Sequence, residues 1–154
     1  MNPIRVYIDT SVVGGCLDPE FQEASLRLFE LFRTGKMIAV VSDLTIMELA
    51  PAPPAVREVL NRIPATSRED VHTTPAVTQL SESYITERVL GPAMMDDASH
   101  IAMATLYGVD ILVSWNFKHV VNERRIVGYH AVNARRGLPL IQIRTPAEVI
   151  RHGG

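Results

Sequence analysis

One cysteine, Cys16, is all that the 154 residues contain, so no intramolecular disulfide can form. The lone thiol reads as a buried structural side chain of a reducing compartment rather than a reactive group. No run approaches the roughly 18 consecutive apolar residues that a bilayer requires. Met1 to Arg5 lead straight into a β-rich stretch without the pattern of a signal peptide. Both absences point to a cytoplasmic protein with no membrane partner. There is no internal repeat, no low-complexity segment and no linker long enough to divide the chain. Gly14-Gly15 stands without the rest of any phosphate-cradling glycine fingerprint, and His72, His130 and His152 lack metal-ligand spacing. A net charge of −2 argues neither for nor against a nucleic-acid partner.

What is present is ordinary globular material. Hydrophobic residues make up 47% and charged residues 21%, which excludes a disordered chain, and the length suffices to bury roughly two-thirds of the unfolded surface. Charge is unevenly spread. Residues 1–117 hold 8 Lys or Arg against 15 Asp or Glu, whereas residues 118–154 hold 7 against 2, with the pairs Arg124, Arg125 and Arg135, Arg136. This basic tail reads either as a phosphate-facing patch or as a solvated helix face.

Hydrophobic periodicity predicts alternating strands and helices. Ile4 to Ile8 reads as a strand that stops at Asp9, Thr10 and Ser11 and opens into a loop with Gly14 and Gly15. Pro19 to Phe32 carries apolar residues at helical spacing and stops at Gly35. Met37 to Val41 suits a buried parallel strand, after which Ser42 or Asp43 caps a short helix that carries Glu48 and ends before Pro51. Helices are expected over Ala55 to Arg62 and Pro75 to Val89. Asp96 and Asp97 open a further helix closed by Gly108. Ile111 to Val113 is the next strand, followed beyond Trp115 to Lys118 by a helix through about Arg136. A strand near Leu140 to Ile143 and a helix capped by Thr145, with Pro146 at its first position, complete the chain. Such βα alternation implies an α/β fold with a central parallel sheet covered on both faces.

In open parallel sheets the working site lies outside the carboxyl ends of the strands. Asp9 ends the first strand, Glu48 follows the second, Asp96 and Asp97 precede the next, and Asn116 follows Ile111 to Val113. Convergence of these groups is costly, since each like-charge pair about 4 Å apart costs on the order of 4 kcal/mol at an effective dielectric near 20. A shared proton or a hard cation compensates, and an all-oxygen donor set without cysteine favours Mg2+ or Mn2+ over zinc. Such an ion can activate water and neutralise a phosphate under attack, which points to phosphodiester hydrolysis.

The residues themselves carry a resemblance. Tyr7-Ile8-Asp9-Thr10-Ser11 resembles the opening motif of PIN domains, and Ser42 to Leu49 is similar to their second. Asp97-Ala98-Ser99-His100-Ile101-Ala102 resembles the third, and Val113 to His119 looks like a variant of the fourth. The four lie in order between Tyr7 and His119. The resemblance implies a PIN-like three-layer α/β/α fold over residues 1–154 as a single domain. Its core would span about 4–120, with a helix-strand-helix extension over about 120–151. It implies a metal-dependent ribonuclease acting on single-stranded RNA, of the VapC-like kind that serves as toxin in toxin–antitoxin systems. The partners would be the RNA substrate and a cognate antitoxin protein, and the family analogy suggests a homodimer. Carried over by position, Asp9, Glu48 and Asp97 are the catalytic, metal-holding acids, with Thr10 and Ser11 as hydrogen-bonding support. Asn116 stands where many relatives have aspartate; its amide oxygen can ligate but brings no charge, and Asp96 either supplies that charge or caps its helix.

Each residue also has a plainer reading. Asp9 alone is as well a turn or cap residue, and Glu48 a solvated helix residue; Thr10 and Ser11 fit a turn at the loop start. His100, on an otherwise apolar helix, reads as a group hydrogen-bonded within the fold. Lys118, His119, Arg124 and Arg125 are candidates for RNA phosphates, and Trp115 reads as a cover for the sheet end rather than a base-stacking ring. An aspartyl-phosphate chemistry at Asp9 is disfavoured because Ser11 stands where a second acid belongs. The alternative that survives is a catalytically weakened domain that binds RNA or protein.

Overall fold

The computed structural model describes residues 2–153, with side chains through residue 151. Met1, Gly154 and the His152 side chain, named above, lie outside the described residues. In chain order the elements are β1 (Ile4–Ile8), α1 (Thr10–Gly15), α2 (Gln22–Arg33), β2 (Met37–Ser42), α3 (Asp43–Leu49), α4 (Pro54–Asn61), β3 (Arg68–Val71), α5 (Pro75–Thr86), α6 (Met95–Leu106), β4 (Ile111–Val113), α7 (Glu123–Arg135), β5 (Gln142–Arg144) and α8 (Pro146–Gly153). Single 3-10 turns at Ala65–Ser67 and Pro92–Met94 precede β3 and α6.

The strands form one parallel sheet in the order β3, β2, β1, β4, β5. Alternation along each strand sends side chains to opposite faces. Tyr7, Val40 and Leu112 point into a core shared with Tyr84 of α5, Ile101 and Ala102 of α6 and Tyr129 of α7. Val6, Ile8, Ala39, Val41 and Val113 point the other way, against Leu28 and Phe32 of α2, Leu60 of α4 and Val149 of α8. Helices therefore cover both faces, and the result is a three-layer α/β/α sandwich of the PIN-like type. Because β2 and β3 lie on one side of β1 while β4 and β5 lie on the other, the winding reverses between β1 and β4. The crevice outside the carboxyl ends of such a pair is where α/β folds of this kind place ligands.

Four elements depart from expectation. The segment after β1 is the short helix α1 rather than a loop, because Asp9 caps it by accepting from the Val12 amide at 3.3 Å. Gly15 serves packing within it: a Cβ there would lie 2.6 Å from Ser25 Oγ and 2.8 Å from Trp115 Nε1. β3 was not anticipated, since Arg68-Glu69-Asp70-Val71 has the charged composition of a sheet edge. Its polar residues are held by the ion pairs Arg5–Glu69 and Arg68–Asp70. α5 ends at Thr86 instead of Val89 because Arg88 takes a left-handed turn (φ 62°), and the last strand covers Gln142–Arg144, shifted from Leu140 to Ile143.

Candidate active site

The parallel register pairs Ile8 with Val113, so Asp9 and Ser114 leave the sheet side by side. Asp9 is 5% exposed, and both of its oxygens are held: Oδ1 accepts from Ser11 Oγ at 2.6 Å, and Oδ2 accepts a short bond from Ser114 Oγ. Ser42 at the end of β2 caps α3 through the Thr45 amide (3.1 Å), which sets the direction of the helix that carries Glu48. Glu48 Oε1 accepts from Thr10 Oγ1 at 2.5 Å and faces His100 Nε2 at 2.7 Å. Asp97 lies in the first turn of α6, one turn before His100 on the same helix.

His100 is 3% exposed and is the hub of this arrangement. The Tyr7 hydroxyl donates to Ser42 Oγ (2.8 Å), Ser42 donates to Thr45 Oγ1 (3.2 Å), and Thr45 donates to the Ile8 carbonyl (3.3 Å). With its proton committed, the Tyr7 oxygen is left to accept from His100 Nδ1 at 2.6 Å. One ring thus ties the end of the sheet to the carboxylate on α3. Burial drives the Tyr7 hydroxyl up, far from titration, so it acts only as a hydrogen-bonding group.

The three acids differ. Burial pushes the Asp9 carboxyl above its ordinary value, against the His100 charge and the hydrogen bonds from Ser11, Ser114 and Val12. Burial also acts to raise Glu48, but the His100 hydrogen bond and charge, with Thr10, outweigh it, and Glu48 sits below its ordinary value. Asp97 is raised, first by burial and further by the Glu48 charge, despite His119 and His100. All three therefore feel His100, and Asp97 and Glu48 repel one another.

The other expected residues sit as follows. Asn116 spends its amide oxygen on the backbone N–H groups of Lys118 (3.2 Å) and His119 (2.9 Å), and Nδ2 donates to Asp97 Oδ1 at 3.4 Å. It staples the loop after β4. His119, expected against a phosphate, has Nδ1 3.1 Å from Asp97 Oδ2. Asp96 is exposed in the first turn of α6, where its charge suits the helix N-terminus. Lys118 is exposed. Arg124 and Arg125 line a cavity of about 510 Å³ with Arg88, Glu87 and Asn122, and Arg125 Nη1 is tied to the Val89 carbonyl. Arg135 and Arg136 instead pair with Glu87. Trp115 is held by Ser25 at 2.8 Å and stacks on Phe21, so it does close the sheet end. Ser114 and Tyr7 escaped notice as site residues, although Ser114 occupies the position after β4 that Asp9 occupies after β1.

Chemically the donor set suits a hard divalent cation. It offers three carboxylates from separate segments, two of them raised by burial, with hydroxyls bracing their oxygens. Among the described residues, however, no three His, Cys, Asp or Glu side chains are gathered closely enough about one point to hold an ion. The oxygens are turned toward Ser, Thr, Asn and His partners.

No known protein family and no curated protein matches the sequence. Solved structures do match the fold. A chain of VapBC2 from Rickettsia felis, a complex bound to a DNA fragment from its promoter, superimposes with a TM-score of 0.57 at 12% identity, covering 92% of this chain and 98% of that one. Mycobacterium tuberculosis VapC20, a toxin that cleaves the sarcin-ricin loop, superimposes with a TM-score of 0.56 at 12% identity, over 74% of this chain and 92% of that one. The chain has the PIN-like fold of VapC toxins. No helix among the described residues is long and apolar enough to cross a membrane.

Proposed function

We propose that this chain is a metal-dependent endoribonuclease that hydrolyses phosphodiester bonds of single-stranded RNA. What supports this reading is that Asp9, Glu48 and Asp97, from β1, α3 and α6, all feel the charge of His100, which Glu48 also contacts at 2.7 Å, although their carboxylates do not yet gather about one point. Asp9, Glu48 and Asp97 would hold Mg2+ or Mn2+. Such an ion supplies positive charge for the phosphate under attack and lowers the pKa of water. The chain's own groups do the rest. Ser11 and Ser114 fix both oxygens of Asp9, so its carboxylate needs no reorganisation when substrate arrives. Thr10 and His100 orient Glu48, and His119 with Asn116 orients Asp97. Exposed Lys118 and the arginines Arg124 and Arg125 would meet the phosphates of the flanking strand.

The fold shared with VapC20, a toxin, and with VapBC2, a complex, supports a toxin neutralised by a cognate antitoxin. A single domain working in the cytoplasm as a homodimer completes this reading by analogy. Asn116 favours a second one. Its oxygen is engaged by two backbone amides, so it adds neither charge nor a free ligand, and a domain so depleted would bind RNA or protein with little turnover. Incubation of the purified protein with a mixed RNA pool, with and without EDTA, separates the two. Fragments that require the metal and vanish in Asp9→Asn and Asp97→Asn support the nuclease; intact RNA in every lane supports the binding module.

A further inference from the structure

Three aromatic rings meet beside the acids, and nothing in the proposed hydrolysis uses them. Phe21 and Trp115 are stacked, with centroids 4.4 Å apart and planes 21° from parallel. Phe117 leans on both, at 6.4 Å from Phe21 and 6.2 Å from Trp115. The lower pair is fixed: Trp115 donates to Ser25, and Gly15 leaves the room that its indole fills. Phe117 is different, because 52% of it is exposed although it leans on both of the other rings. An exposed ring held by two packed ones presents a flat apolar surface without the entropy cost of ordering it on binding.

The cluster is also wired to the acids. The Trp115 amide donates to Ser11 Oγ at 2.9 Å, and the same hydroxyl donates to Asp9. Asn116, between Trp115 and Phe117 in sequence, donates to Asp97. We propose that Phe117, backed by Trp115 and Phe21, is a platform on which an unpaired base of the substrate strand stacks next to the acidic crevice. Every base has a π-face, so such a surface favours unpaired strands without reading sequence. Duplexes, whose bases are stacked on one another, offer it nothing. Beyond the rings lies an open cavity of about 560 Å³ whose charged lining, Glu20 and Glu23 with Arg151, carries no net positive charge to draw phosphates. Lys118, exposed and next to Phe117 in the chain, is the cation that the backbone of a strand stacked there would meet.

For its ligand class the platform rests on the nuclease reading, but its test does not need turnover. Trp115 is the only tryptophan, so its fluorescence reports directly on the cluster. A short oligoadenylate is titrated in EDTA into the full-length chain, beside an abasic oligomer of equal length. Quenching by the oligoadenylate alone is expected. Affinity should fall about tenfold in Phe117→Ala and in Phe117→Leu, which keeps apolar packing but loses the ring, and should persist in Phe117→Tyr. Equal quenching by the abasic oligomer, or unchanged affinity in Phe117→Leu, overturns the platform. Metal-dependent RNA fragments with an unaltered KM in Phe117→Leu also sink it while leaving the nuclease intact. Ring-dependent binding without fragments would retain the platform and remove the nuclease.

Discussion

Ser114 donates its hydroxyl to Asp9 from 105 positions away, and this bond ties the ends of β1 and β4 together at the crevice between them. The same oxygen accepts the Asn116 amide at 2.9 Å, so one buried hydroxyl braces both the carboxylate and the loop that reaches Asp97. Ser114→Ala should destabilise the fold by about 1–3 kcal/mol, the cost of leaving buried partners unpaired. Urea unfolding measures this, and an unchanged midpoint would remove Ser114 from the account.

Tyr7→Phe keeps the buried ring and deletes only the oxygen that joins Ser42 to His100. His100 Nδ1, on a ring only 3% exposed, then has no partner. A loss of about 1–3 kcal/mol is expected, again from an unsatisfied buried group. If metal-dependent cleavage is present in the wild type, it should weaken as well, because Glu48 is oriented through that imidazole. A variant as stable and as active as the wild type contradicts the chain Tyr7, His100, Glu48.

How much of this could be read beforehand depended on where the information lay. β1, β2 and β4 are apolar runs broken only by Arg5 and the terminal Ser42, and helices α3 and α8 carry their caps at Ser42 and Thr145, so local sequence declared them. Asp9, Glu48 and Asp97 were legible because each stands at the carboxyl end of a strand or on the helix beside one. β3 was not, because an edge strand gains its place from pairing with β2 and from Arg5–Glu69, partners distant in sequence. α1 was hidden by its glycines, and only the tertiary contact of Gly15 with Trp115 explains one of them. The hub role of His100 depended on Tyr7 and Glu48 arriving from other elements, which no local pattern encodes.

Asp9→Asn should leave the metal-free protein folded, with a loss of at most about 1–3 kcal/mol, since it removes a buried charge but sets an amide nitrogen where Ser11 or Ser114 now donates. Burial disfavours the ionised carboxylate, and asparagine caps α1 equally well. Mg2+ or Mn2+ should raise the melting temperature of the wild type by mass action and leave the variant unmoved. Equal shifts in the two proteins would place the ion elsewhere.

Cys16 is fully buried, and burial pushes its thiol up to about 12. Thiolate is the reactive form, so iodoacetamide at about pH 8 should leave the native chain unmodified and label it fully in denaturant. Mass spectrometry reads the outcome, and rapid native labelling would mean that α1 opens from the core on that timescale.

Asp43 joins the start of α3 to the segment before α5: Oδ2 accepts from the Thr73 amide and Oδ1 from its hydroxyl, both at 2.9 Å. Slight burial acts to raise its carboxyl, but these bonds, the Leu44 amide and the His72 charge together hold it below the ordinary value. A depressed folded pKa means that the unfolded chain takes up the proton first on acidification. The stabilisation is therefore fully present above the unfolded value, about 3.9, and is lost as pH falls through the lower folded value. The difference in unfolding free energy between wild type and Asp43→Asn should be constant at neutral pH and shrink below about pH 4, as urea titrations at several pH values will read. A difference that instead grows with acidification would mean that Asp43 does not hold α3, and with it Glu48, in place through its ionised form.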